Sequence, residues 1–220
     1  MKIAINYLLE PINIKEGETA CLCIENQKLF RNIVQELHAQ IDGQEGSIVF
    51  SVEDSIVKPQ KEILIFEKFA PFEINTKEIL NKISLALEKE AMNEKHYLQT
   101  MELLSQIERY FDTINDMNYN ITLRKLDFSS IIKAVSPVLT DDYDNPLEAM
   151  LDYMDYITEF LGNKLFVTVN LRSFFADEEL AAMVETIRAK GFKLLLIESM
   201  ERSRISGINT ILIDSDLCQI

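Results

Sequence analysis

Carboxylates dominate the groups in this 220-residue chain that could act on a substrate. Glu198 ends the apolar run Leu194 to Ile197, the place where a parallel strand gives way to a loop and where the active sites of α/β proteins gather. With Asp214 or Asp216 it could serve a hydrolase or a nucleotide-handling enzyme; in the plainer reading it is a solvated acid at a strand end. Asp141, Asp142, Asp144 and Glu148, in TDDYDNPLE, offer the hard oxygen ligands that calcium prefers. The segment lacks the central glycine and the correctly spaced terminal glutamate of a calcium loop, and the same acids suit a helix start capped by Asn145. His38 and His96 are the only histidines, and each falls in a helical stretch far from any cysteine. Metal sites and nucleophile pairs need several such groups to converge, so both histidines read as surface or packing residues. Cys21, Cys23 and Cys218 are odd in number and set among apolar residues, which points to buried reduced thiols.

Phosphate chemistry is bounded by what is missing. Nucleotide-binding α/β folds grip phosphate on a glycine-rich turn at a helix N-terminus, but the chain contains neither GxxxxGK[ST] nor GxGxxG, and its six glycines are scattered. The cations best placed for phosphate contacts are Arg124, Lys125 and Lys133, with Lys89, Lys95 and Arg109 on a long helical stretch; basic residues on an exposed helix are commonly just solvated. A net charge of −14 opposes nucleic acid as an average. The charge is uneven, however. Pro137 to Phe160 holds seven acids and no base, whereas Tyr119 to Ser136 sets Arg124, Lys125 and Lys133 against Asp127 alone.

The elements that would position these groups can be read from periodicity. Leu165 to Leu171 is a β-branched apolar run, as in a strand buried on both faces. A helix follows, with Asp177, Glu178 and Glu179 in its first turn, Leu180, Met183, Val184 and Ile187 on one face, and Gly191 where a left-handed cap belongs. Leu194 to Ile197 then completes a strand, helix and strand, which implies a right-handed parallel crossover. Upstream, Lys2 to Asn6 reads as an edge-like strand, Ala20 to Ile24 as a short one, Leu29 to Ile41 as a helix and Ser47 to Val52 as an alternating strand. Ile63 to Phe66 could join the same sheet. Lys77 to about Asn115 reads as one helix of nearly forty residues, about 58 Å long, with Asn75 or Thr76 as cap and Glu78 placed for a capping box. A shorter helix covers Ser129 to Val135, and another runs from Pro146 to Leu161. The expected fold is α/β: a discontinuous head of residues 1–76 and 163–220 with a parallel sheet, interrupted by an extended all-helical leg of residues 77–162. No apolar run approaches the roughly 20 residues needed to cross a bilayer, and the N-terminal segment lacks signal-peptide features, so no membrane association and a cytoplasmic location are expected.

The opening NYLLEPINI, KLFVTVNLRSFFADEEL (Lys164 to Leu180) and the closing LLLIES together resemble the small CRISPR-associated Csn-two-type proteins of type II-A systems, which serve spacer acquisition. The matching positions are Leu8, Leu9, Glu10, Pro11 and Ile12, then Lys164, Leu165, Asn170, Phe175, Glu179 and Glu198; the likeness is thin between Asn93 and Phe160. It implies an α/β head, a helical leg, and a homotetrameric ring that threads double-stranded DNA ends through a lysine-lined channel, without known catalysis and beside other CRISPR adaptation proteins. Lys133, in IIKAV, is the channel lysine the resemblance carries over, with Arg124 and Lys125 as its neighbours. Family members hold calcium with an acidic stretch ahead of that helix. Here the place reads NDMNYNITLRKLDF, leaving Asp116 and Asp127, so that stretch does not carry calcium over, and Asp141, Asp142 and Asp144 could supply ligands from the other side. Two alternatives stay open: an enzyme using Glu198, and an interaction scaffold to which DNA is irrelevant.

Overall fold

The computed structural model describes the chain except residues 54, 70, 116–120 and 122–124. In chain order the elements are β1 (Lys2–Ala4), β2 (Ile12–Asn13), β3 (Thr19–Ile24), α1 (Gln27–Ile41), β4 (Val49–Val52), β5 (Ser55–Ile56), α2 (Pro59–Glu62), β6 (Ile63–Phe66), α3 (Lys77–Ala91), α4 (Tyr97–Ile114), α5 (Phe128–Val135), α6 (Pro146–Leu161), β7 (Leu165–Val169), α7 (Asp177–Lys190), β8 (Lys193–Glu198) and β9 (Ile208–Ile213). They form two compact units: Met1–Phe72 with Tyr143–Ile220, and Glu73–Asp142.

The first unit is an α/β body on a five-stranded parallel sheet of order β6-β7-β8-β3-β9. Sheet alternation explains its two cores. Leu22, Ile24, Leu165, Val167, Leu195 and Ile197 face α1 and join Leu29, Ile33 and Leu37 in one buried cluster. Their neighbours point the other way, where Phe66, Phe72, Tyr153, Phe166 and Phe192 make a chain of ring contacts at 5.4–5.9 Å. The α7 residues Leu180, Met183, Val184 and Ile187 are buried as their spacing requires. Its first turn carries Asp177, Glu178 and Glu179, the Glu179 carboxylate accepts from the Ala176 N–H at 2.8 Å, and Gly191 ends it at φ 74°. The expected crossover is present, with β7 and β8 adjacent and parallel.

Several expectations are corrected here. Ile63–Phe66 does not share a sheet with Val49–Val52: β6 edges the parallel sheet, whereas β4 lies in a separate antiparallel sheet of order β2-β1-β4-β5. Nor is β1 an edge, since it is paired on both sides. Helix α6, counted with the leg in the 77–162 division, belongs to the sheet-bearing unit, because its wide apolar face (Leu147, Met150, Tyr153, Met154, Ile157) is buried and Tyr153 meets Phe66 and Phe72. Its start is as read, with Asn145 capping the Leu147 N–H and Pro146 at the first position.

The second unit is helical, and the single long helix is two. Asn93 breaks it: its Oδ1 accepts from the His96 N–H at 3.0 Å, and the Thr100 hydroxyl donates to the Ala91 carbonyl at 2.8 Å. Those bonds satisfy polar groups that the ends of α3 and α4 leave unpaired, which a hydrophobic period does not report. No side-chain cap bond forms at Thr76, and Asn75 instead exchanges two hydrogen bonds with the Leu139 backbone, at 2.8 and 3.1 Å. Among the described residues, no helix is long and apolar enough to cross a membrane.

Candidate nucleic-acid interface

The helix α5 is short, and its start is set by chemistry visible in the sequence. Asp127 accepts from both the Ser130 N–H and the Ser130 hydroxyl at 2.7 Å, and those bonds, helped by Lys133, hold its carboxyl below the usual range. Buried Ile132 anchors α5, turning Lys133 outward beside α3. There a hollow of about 350 Å³ is lined by Asn81, Ser84, Leu85 and Glu88 from α3 and by Ser129, Ile132 and Lys133 from α5. The Lys133 ammonium and Ser129 hydroxyl of α5, with the Asn81 amide of α3, are donors of the kind that seat a backbone phosphate without reading a base, while Glu88 opposes an anion. Lys89 follows Glu88 and is exposed.

The other candidate cations are not gathered with Lys133. Lys95 is exposed in the turn between α3 and α4. Arg109 lies about 18 Å along α4 from its start at helical rise, with its Nε folded back onto the Ser105 carbonyl at 3.2 Å. Lys125 is exposed just ahead of α5, and Arg124 lies outside the described residues. Residues 73–142 contain eight basic and twelve acidic residues, so the helical unit is itself acidic and any cationic character is confined to local patches.

Glu198 is not the solvated strand-end acid of the plainer reading. It is 2% exposed, and burial pushes its carboxyl up to about 7. Alternation along β8 turns it away from α1, toward the side where α7 packs. Its Oε1 accepts the Arg172 N–H at 3.1 Å, from the 3-10 turn Leu171–Ser173. The buried Arg172 guanidinium in turn donates to Asp177 Oδ1 at 2.9 Å and to the Ser203 carbonyl at 2.7 Å. Asn170, left-handed at φ 55°, accepts from the Ser199 N–H and hydroxyl. These bonds stitch the loop after β8 to the turn after β7. A raised carboxyl at a strand end is a catalytic candidate by type, but this one is sealed by backbone. Asp214 closes its own turn by accepting the Asp216 and Cys218 N–H groups at 2.9 and 2.8 Å. The place of a phosphate loop is taken by two residues, Glu25 and Asn26, with Asn26 capping α1 through the Leu29 N–H at 3.0 Å.

Among the described residues no three His, Cys, Asp or Glu side chains gather as a metal-holding group. Asp141, Asp142 and Asp144 are each exposed. His38 faces Glu67 at 2.8 Å and His96 faces Glu90 at 3.5 Å. Cys21 and Cys23 are buried as expected, with burial pushing their thiols up to about 12 and about 11, but Cys218 is exposed because it lies past the last strand.

Sequence reasoning missed Arg172 as the partner of Glu198 and Asn170 as the partner of Ser199, since nothing local marks either pairing. It also missed an apolar hollow of about 430 Å³ between α3, α4 and α5, walled by Leu87, Leu103, Phe128, Ile131 and Val135 among others.

Comparison with known proteins bears on this arrangement. The family model described as CRISPR-associated protein (Cas_Csn2) matches residues 40–217. Among solved structures, that of Stu0660 of Streptococcus thermophilus superposes with a TM-score of 0.55 at 14% identity, covering 90% of this chain and 68% of that one; at that identity the likeness speaks to the fold alone. A putative ABC transporter ATP-binding protein from Pyrococcus furiosus reaches a TM-score of 0.37 at 11% identity, over 96% of this chain and 94% of that one, too low to carry an argument. No curated protein sequence matches the chain.

Proposed function

The chain belongs to the CRISPR-associated Cas_Csn2 family, and on that premise we propose that it binds the ends of double-stranded DNA without regard to sequence, as a homotetrameric ring that supports spacer acquisition. Family membership supports a role in CRISPR adaptation; the DNA, the ring and the tetramer are our reading. Its task is to hold and position a duplex rather than to break a bond, and Glu198 is a structural acid.

The observation that carries the DNA reading is the outward Lys133, fixed on a capped and anchored helix beside Asn81 and Ser129. Self-association is supported by the distribution of exposed large apolar side chains. Among the described residues, twelve of twenty-one lie in residues 73–142, and burying them against a second copy would remove that apolar area from water. A ring would let a cationic lining coexist with an acidic exterior, which reconciles duplex binding with a charge of −14.

Gel-shift titration of linear and covalently closed duplex, with and without calcium, tests the reading. Linear fragments should bind, with log affinity falling against log salt by about 0.9 for each phosphate neutralised; closed circles should bind poorly. Lys125→Glu with Lys133→Glu should abolish binding while the mass in solution stays that of a tetramer. Equal affinity for circles and fragments removes threading. Failure to shift duplex at low salt in either ion condition leaves an interaction scaffold. Nucleotide or DNA turnover that survives repurification and vanishes in Glu198→Gln makes the protein an enzyme.

A further inference from the structure

We propose that the groove between α6 and α7, on the sheet-bearing unit, is a docking surface for a cationic segment of a partner protein, one of whose arginine or lysine side chains seats against Phe69, Phe174 and Phe175 between Asp144 and Glu179. Two hollows of about 340 and 280 Å³ share Asn145 and Glu179 as lining, so they run into each other along the helix pair. Phe69 lies 5.2 Å from Phe174 and 6.3 Å from Phe175, centroid to centroid, both edge-on. Phe69 is buried, whereas Phe174 is 55% exposed, an unusual position for a ring with no polar handle.

Charge decides which occupant fits. Asp144, Glu148 and Glu179 line the two hollows, and no basic residue lines either. Asp144 and Glu148 are exposed, and among the described residues neither belongs to an ion pair. Glu179 is held in place, its Oε2 accepting the Ala176 N–H at 2.8 Å and its Oε1 facing the Asn145 amide at 3.4 Å. Ring faces carry the negative end of the aromatic quadrupole and attract guanidinium or ammonium groups within about 6 Å. Acids beside rings therefore select a cation on an organic stem over a bare metal ion, which has no use for the rings. Leu147, Leu151, Ala182 and Met183 line the second hollow beside Thr186, apolar surface for the aliphatic stems of long basic side chains. A duplex is repelled by this lining, so its charge suits a cationic protein segment and not DNA.

Fluorescence anisotropy with a short labelled peptide of repeating Arg-Arg-Leu, at physiological ionic strength, tests this on the full chain. Wild type should bind. Asp144→Asn with Glu148→Gln should weaken binding by about tenfold, the scale of losing two close charge partners, and Phe174→Ser by about fivefold, the scale of one cation–ring contact, while Phe174→Tyr restores it. Glu10→Gln with Glu45→Gln removes the same charge from exposed positions outside the groove and should leave the peptide affinity unchanged. All variants should shift linear duplex as the wild type does, which separates this proposal from the DNA reading. If the control pair weakens the peptide as much as the groove pair, net charge alone is at work and the site is refuted. Binding indifferent to Phe174→Ser refutes it equally.

Discussion

Glu198→Gln tests whether the sealed carboxylate at the end of β8 is a structural acid whose ionisation the fold must bear. Burial lifts the group from an ordinary 4.5 to about 7, against the opposing pull of the Arg172 N–H, the Arg172 guanidinium and Arg202. A tenfold change in an acid equilibrium is worth about 1.4 kcal/mol, so ionising this carboxyl in the folded chain costs about 3 kcal/mol more than in the unfolded one. The sign follows from proton counts. Below the unfolded value both states hold the proton and the term vanishes; between 4.5 and 7 only the folded state holds it, so stability falls as pH rises; above 7 the full penalty remains. Glutamine keeps an acceptor oxygen for the Arg172 N–H and carries no charge. Urea titrations followed by far-UV circular dichroism, at fixed protein concentration and from about pH 5 to about pH 8, should show the wild type losing up to about 3 kcal/mol more than the variant. Cys21 and Cys23, the thiols on that side coupled to Glu198, are pushed up to about 12 and about 11 and stay neutral over this range. Parallel curves for the two proteins, or a wild type that gains on the variant as pH rises, would refute the reasoning.

Phe166→Ala removes a fully buried ring stacked on Phe66 at 5.8 Å and edge-on to Phe192 at 5.7 Å, and should cost about 3–5 kcal/mol by urea unfolding. Asn26→Ala deletes the α1 cap and the Asn26 amide bond to the Ser215 carbonyl; a loss of about 1 kcal/mol, with faster amide exchange at Leu29, is the expected readout. Gly207→Ala should also destabilise, visible as a lower Tm, because the residue sits at φ 87° and a Cβ would stand 2.8 Å from Arg188 Nη2 and 2.9 Å from Val184 Cγ1. In duplex binding, Lys133→Ala should flatten the slope of log affinity against log salt by about 0.9 per subunit engaged, alike for any sequence.

Much of this molecule follows from local pattern. The β7–α7–β8 unit is legible because each of its signals is short-range: β-branched runs, acids in a first turn, a glycine at a left-handed cap. The same holds for the cap Asn145, whose bond reaches two residues along the chain, and for the missing phosphate loop, since a glycine-rich turn is itself a local pattern. The resemblance that led to the family also rested on short segments, near the N-terminus and around β7, α7 and β8.

What escaped was set by groups distant in the chain. Which sheet takes Ile63–Phe66 depends on pairing with residues a hundred positions away, and α6 joins the sheet because Tyr153 finds Phe66 and Phe72. The break between α3 and α4 depends on polar satisfaction, and hydrophobic periodicity runs straight through it. Glu198 reads as solvated until the turn carrying Arg172 is folded over it, since burial belongs to the assembled neighbourhood and not to the residue. For the same reason Lys133 and Arg109, both plain cations on apolar-faced helices in the sequence, part company in space: one stands beside polar donors from a second helix, and the other folds back on its own.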